Sequence, residues 1–177
     1  SCQDVGMTGI HVQSLTEEDW ARFRAIRLAA LEESPEAFVA GLAEEQAYDE
    51  ELWRLRMRRA QRMVADVDGD AVGVVSVGVL EDAENTAEIF GLWVRPDLRG
   101  RGVAATLVRS ASQQAADDGF DRIAYWVGTD NGRAVAFASG FGFRPTGRRR
   151  PMRVSLGGDD EEEIAMVLPL AEDRSAS

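Results

Sequence analysis

Lysine is missing from this chain. Of its 177 residues, 20 are basic, and every one is arginine. A Walker-type phosphate loop needs its lysine, so that route to nucleotide binding is closed. Schiff-base chemistry on a lysine amine is closed too. Cysteine is nearly absent: Cys2 stands alone, which excludes an internal disulfide and a thiolate metal cluster. His11 is the single histidine. A Ser–His–Asp triad or a zinc site would rest on it alone, so it reads as an ordinary, partly buried side chain. No apolar run reaches the length of about 18 residues that a membrane span requires. An apolar signal region at the start is lacking as well, so a cytoplasmic protein is expected.

What remains is acidic and apolar in a balance that folds. The formal net charge is −11, and hydrophobic residues make up 45%. That composition supports one domain with a real core. The negative charge disfavours nucleic acid, which requires a basic surface to neutralise phosphates. Arginine and alanine in place of lysine suggest a GC-rich bacterial genome.

There is no internal repeat and no long linker. Residues 1–6 read as a tail or cloning remnant and residues 171–177 as a second tail, leaving 7–170 as a single domain. Residues 9–15 alternate apolar with polar and predict a strand. Thr16 and Asp19 resemble a helix cap, and the helix that follows carries Trp20, Phe23, Ile26, Arg27, Ala30 and Leu31 before Ser34-Pro35 breaks it. A turn or short helix around 36–40 leads into an acidic stretch that reads as mobile. Residues 49–60 are acidic at the start and basic at the end, as a helix dipole favours. Strands over 62–69 and 70–80 meet at Asp68-Gly69-Asp70, a hairpin signal. Residues 86–94 are apolar on both faces near their end and predict a central strand. A helix over 101–117 turns Val103, Leu107, Val108, Ala111 and Ala115 inward. Then come a strand over 122–129, a short helix over 131–140 and strands over 143–149 and 164–170. The acidic run at 159–163 falls in the turn between these last two. The order β–α–α–β–β–β–α–β–α–β–β implies a mixed sheet with helices packed on it.

The most informative stretch is RPDLRGRGVAATLV, residues 95–108. Pro96 ends the central strand, and the loop delivers the chain to a helix N-terminus. Glycines at 100 and 102 let backbone amides converge on one concave spot. With the helix dipole they make an anion site, and Arg99 and Arg101 add charge that grips phosphate. A pyrophosphate suits such a site.

Arg99-Gly100-Arg101-Gly102-Val103-Ala104 resembles the Arg/Gln-x-x-Gly-x-Gly/Ala signature of GNAT-type N-acetyltransferases, and Leu92-Trp93-Val94-Arg95-Pro96 precedes it as is usual there. Downstream, Asn131, Ala134, Phe137, Gly142 and Phe143 resemble the family's Asn-x-x-Ala-x-x-Leu-Tyr-x-x-x-Gly-Phe segment. The likeness in element order runs over about 9–170. It implies an α/β (α+β) fold: a mixed, mostly antiparallel central sheet of six to seven strands flanked by about four helices. It also implies that acetyl-CoA is the cosubstrate. The pyrophosphate would lie on Arg99, Gly100, Arg101, Gly102, Val103 and Ala104. The pantetheine arm would follow the backbone of Leu92, Trp93 and Val94, where the central strand splays from its neighbour. The amide near Leu92 and Trp93 would polarise the thioester carbonyl. Asn131 and Phe137 would sit by the cofactor arm, with Asn131 also able to cap its helix. Gly91 in mid-strand fits a bulge or simple close packing.

The implied activity is acetyl transfer to a primary amine of a small molecule or protein. A lysine-like amine with a pKa near 10.4 needs about 4–5 kcal/mol to lose its proton at pH 7. Glu88 matches the general base of a histone-modifying branch of the family, acting directly or through water; otherwise it is a surface carboxylate. The family's tyrosine that protonates the leaving thiolate is replaced here by Ala138. Water, Ser139 or Tyr125 could substitute, and of Tyr125 and Trp126 one should face the cleft. The acceptor pocket would draw on residues 30–38, Tyr48, Trp53 and 144–153. Arg148, Arg149 and Arg150 suit an acidic substrate or a solvated edge, and the acidic 44–51 stretch suits a cation. The alternatives to an enzyme are a non-catalytic acyl-CoA sensor and a loop that binds another phosphate ligand. Family habit implies a homodimer.

Overall fold

A computed structural model describes residues 9–38, 41–152 and 161–170. Cys2, the two tails, Arg153 and residues 159–160 lie outside the described residues, as do Met7 and Thr8.

Among the described residues, seven strands form one sheet in the order β1-β2-β3-β4-β5-β7-β6. They are β1 (Ile10–Ser14), β2 (Gln61–Val67), β3 (Asp70–Val79), β4 (Thr86–Val94), β5 (Arg122–Gly128), β6 (Arg144–Pro151) and β7 (Glu162–Pro169). Every neighbouring pair is antiparallel except β4 and β5, which run parallel. The α-helices among the described residues are α1 (Trp20–Glu33), α2 (Leu42–Gln46), α3 (Glu50–Arg59), α4 (Val103–Asp117) and α5 (Gly132–Phe141).

Local chemistry accounts for most of the boundaries. Thr16 donates its N–H to the Asp19 carboxylate at 2.8 Å and starts the turn that leads into α1. Asp49 caps α3 by accepting the Leu52 N–H at 2.9 Å. Asp68 and Gly69 both have positive φ, 52° and 86°, which makes the two-residue turn that matches strand twist. Gly142, at φ 120°, ends α5.

The sheet is buried on both faces at its centre. On one face, α4 sets Val103, Leu107, Val108, Ala111 and Ala115 against Val75, Val77, Ala87 and Ile89. A side chain at Gly73 would strike Leu107 and Val103 at 3.0 and 3.1 Å, so glycine there lets α4 lie close on β3. On the other face, Phe23, Ile26 and Ala30 of α1 and Trp53 and Met57 of α3 cover Val64, Val74 and Trp93. Each large side chain so covered contributes about 1.5–3 kcal/mol.

One segment departs from the sequence reading. The acidic stretch after residue 40, read as mobile, forms a short helix, α2. Glu45 on this helix is buried, 1% exposed, and accepts hydrogen bonds from Arg27 Nε at 3.0 Å, Arg27 Nη2 at 2.9 Å and Arg56 Nη1 at 2.8 Å. Two arginines distant in sequence hold the helix in place, so its carboxylate belongs to an internal ion-pair cluster.

Candidate active site

β4 and β5 are paired only from Thr86–Arg122 to Ile89–Tyr125. Beyond that point they separate, and the backbone groups of β4 that face β5 lose their ladder partners. At the same place β4 bulges against β3. Ser76 faces Phe90 and Val74 faces Trp93, so Gly91 and Leu92 together oppose Val75. Gly91 has φ +63°. The nearest atoms to a Cβ built there are Ser76 Oγ at 3.7 Å and Arg27 Nη1 at 3.9 Å, which are ordinary contacts. Conformation, not crowding, therefore requires glycine at 91.

The split opens on a cavity of about 1060 Å³. Phe90, Gly91 and Leu92 of β4 line its middle; Tyr125, Trp126, Val127 and Gly128 of β5 line one wall, with Asn131 and Ala134 beside them. The other end is walled by α1, α2, α3 and the row Arg62–Ser76 on β2 and β3.

β4 runs directly into the glycine loop. Residues 99–102 are exposed, with Gly100 at φ +81° and Gly102 at φ +90°. No atom lies within 4 Å of a Cβ built on either glycine, so again the backbone angle demands the residue. The first hydrogen bond of α4 is Thr106 N–H to Gly102 C=O at 3.0 Å, which leaves the amides ahead of it without intrahelical acceptors. The two arginines differ. Arg99 Nε donates to the Val94 carbonyl at 2.8 Å and its Nη2 to Glu33 at 2.9 Å. Arg101 is exposed and makes no ion pair among the described residues. Arg99 thus ties the loop to β4 and α1, and Arg101 is the charge available to a ligand. Trp93 is buried, and its Nε1 donates to the same Glu33 oxygen at 2.9 Å. Val103 is buried and Ala104 half-buried.

On the β5 side, Tyr125 lines the cavity at the mouth of the split and packs edge-on to Phe143, with ring centroids 6.2 Å apart. Burial pushes its hydroxyl pKa up, so it stays protonated. Trp126 also lines the cavity, and the Arg150 guanidinium lies 4.0 Å from its ring centroid. Asn131 caps α5, its Oδ1 accepting the Ala134 N–H at 3.1 Å. Phe137 is half-buried against the larger core cluster, and Ala138 is fully buried in that cluster. Glu88 is half-buried on β4 and precedes Phe90 by one pleat on the same face. At a rise of about 3.3 Å per residue it lies about 10 Å along the strand from Gly91.

The match that decides the family covers most of the fold. The pattern of the Acetyltransferase (GNAT) family fits residues 15–143. This chain belongs to the GNAT acetyltransferase family. Among curated relatives, an N-acetyltransferase of Archaeoglobus fulgidus is 34% identical over 48% of this chain and 60% of its own length. One of Methanocaldococcus jannaschii is 32% identical over 51% of this chain and 42% of its own length. The chain thus spans about half the length of the curated relatives it matches. Among solved structures, YncA of Salmonella typhimurium, determined with its cofactor acetyl-CoA, superposes with a TM-score of 0.71 at 17% identity, over 93% of this chain and 95% of that one. A ribosomal-protein-alanine N-acetyltransferase of Brucella melitensis gives 0.69 at 22% identity, over 90% and 99%. At these identities the likeness is one of fold.

Within this GNAT frame, the structure brings Leu92, Tyr125, Trp126 and Asn131 to one cavity and sets Gly100 to Ala104 at the end of the strand that lines it. Glu88 and Phe137 sit outside that lining. The arginine cluster around Glu45 was not visible in the sequence, although Arg27 on the apolar face of α1 was its one local sign.

Proposed function

We propose that this chain is an acetyl-CoA-dependent N-acetyltransferase acting on a primary amine. The observation that carries the reading is the separation of β4 from β5 past Ile89 and Tyr125, with β4 continuing into an exposed loop of unpaired amides. Acetyl-CoA supplies a thioester whose acyl carbon an amine can attack. The amides of Gly100, Arg101, Gly102, Val103 and Ala104, with the Arg101 guanidinium, receive its pyrophosphate. Arg99 holds the loop closed on Val94, its own N–H being donated to the Pro96 carbonyl at 3.3 Å. The open edge of Leu92, Trp93 and Val94 carries the pantetheine arm, helped by the side-chain NH₂ of Asn131, whose oxygen is committed to the cap. Phe137 supports α5 from behind.

The nitrogen–carbon bond forms as the carbon–sulfur bond breaks. An amide at Leu92–Trp93 polarises the carbonyl. The Tyr125 hydroxyl donates to the sulfur as negative charge develops, which replaces the hydroxyl missing at Ala138. The amine proton leaves to Glu88, which stands about 10 Å along the strand from Gly91, so that a water between them carries the proton. The products are the N-acetylated amine and coenzyme A thiol.

Thiol release from acetyl-CoA across a panel of amines tests this reading. Amine-dependent release is expected. Tight acetyl-CoA binding with no release for any amine would support the non-catalytic sensor instead, which the buried Ala138 favours. No helix among the described residues is long and apolar enough to cross a membrane. Composition and family habit favour a cytoplasmic, bacterial homodimer.

A further inference from the structure

The acceptor end of the cavity holds an unbalanced charge. Arg27, Arg56 and Arg62 converge there, with the buried Glu45 as their carboxylate. Glu45 is shared by Arg27 and Arg56. Arg62, only 6% exposed, makes no ion pair among the described residues. Its Nη1 donates to Ser76 Oγ at 2.7 Å and its Nη2 to the Arg56 carbonyl at 2.9 Å, while its Nε is buried without a hydrogen-bond partner. Its guanidinium carbon lies 4.7 Å from the Phe23 ring centroid and 5.5 Å from that of Phe90. Burial, then the charges of Arg56 and Arg27, push its pKa down to about 10. Glu36 and Arg59 also line this end, both exposed, and offset one another.

A buried cation lacking a counter-charge is disfavoured unless something supplies one. The cluster reaches the β4 bulge through Arg27 and through Ser76, which Arg62 holds. Arg27 uses Nε and Nη2 on Glu45, while its Nη1 is 3.9 Å from the place a Cβ on Gly91 would occupy, with Ser76 Oγ at 3.7 Å from the same place. The Ser76 oxygen accepts from Arg62, so its own proton is available to a ligand. Donors from three elements thus converge beside the bulge where the amine must attack.

We infer that the acceptor amine carries a carboxylate in the same small molecule, received by Arg62, Ser76 and Arg27 next to Gly91. This rests on the acetyl-transfer reading above and names its substrate class. An ammonium placed at the cluster itself is repelled, whereas the far wall of the same cavity carries Asp130, Glu161, Glu162 and Glu163 beside Arg150. A peptide amine with no nearby carboxylate gains nothing from the cluster.

The test compares L-amino acids with their α-carboxamides as acceptors for the full chain, by thiol release. Rates are normalised to free amine, since the carboxamide lowers the amine's own pKa. A preference of about tenfold to a hundredfold in kcat/KM for the carboxylate is expected, the range that a charge-assisted hydrogen bond commands. Arg62→Gln should abolish that preference and Arg62→Lys should retain part of it. The ratio within one variant does not depend on how much of that variant is folded. Calorimetry of N-acetyl-amino acids and their amides against protein saturated with coenzyme A gives an answer independent of turnover. Equal use of carboxylates and carboxamides, or a ratio unmoved by Arg62→Gln, would overturn the inference while leaving acetyl transfer intact. Absence of release for every amine, with carboxylate-selective binding in the calorimeter, would remove the transfer reading and keep the anion site.

Discussion

Ile89 and Tyr125 are the last cross-strand partners of β4 and β5, and the Tyr125 ring stands at the point where the two strands part. The position gives this tyrosine access to whatever lies in the split, from a strand and not from the helix that bears Ala138. Tyr125→Phe keeps the ring packing on Phe143 and removes the hydroxyl. kcat should fall by about a hundredfold, the lower end of the range for a proton donor, with little change in the KM for acetyl-CoA. Steady-state thiol release measures both, and an unchanged kcat would assign the donor to water.

Gly91→Ala isolates the bulge. The methyl group meets only ordinary contacts, so the penalty comes from forcing an L-residue to φ +63°. A loss of about 1–2 kcal/mol is expected in urea unfolding. A larger loss would mean that crowding, not conformation, selects glycine there.

The two loop arginines should separate cleanly. Arg101→Ala should raise the Kd for acetyl-CoA by about tenfold, less so at high salt, and leave the unfolding midpoint alone. Arg99→Ala should lower the unfolding midpoint, because the loop loses its hold on the Val94 carbonyl and Glu33. Binding isotherms and melting curves of the two variants test the contrast.

The contrast also marks how far the sequence could be read. The glycine–arginine string, the Asp68-Gly69 turn and the inward face of α4 are local patterns, fixed by backbone angle and helical spacing, and each was legible. The different duties of Arg99 and Arg101 were not, because they depend on Glu33, far away in the chain. α2 was missed for the same reason: Glu45 reads as surface charge until Arg27 and Arg56 are folded around it. Arg62 opens a strand in the sequence, and only the sheet register with Ser76 shows it buried.

Glu45 supplies a pH dependence. Burial alone would push its pKa up, but hydrogen bonds and charge from Arg27 and Arg56 outweigh this and hold it below its ordinary 4.5. A carboxylate depressed on folding binds its proton more weakly in the native state. Its stabilisation is therefore complete above about pH 4.5 and lost as pH falls through the lower native value. Glu45→Gln should destabilise by about 3–5 kcal/mol at neutral pH, as removal of one partner from a buried pair does, and should flatten the acid limb of the stability profile. Denaturant titrations from neutral pH into acid measure both.

The central claim is that the end of β4 and the loop after it hold acetyl-CoA. Calorimetric titration of the full chain with acetyl-CoA, repeated with Arg101→Ala, tests it most directly. One-to-one binding at micromolar concentrations, weakened about tenfold in the variant, is the predicted result. No heat of binding from folded protein, or binding that Arg101→Ala leaves untouched, would contradict it.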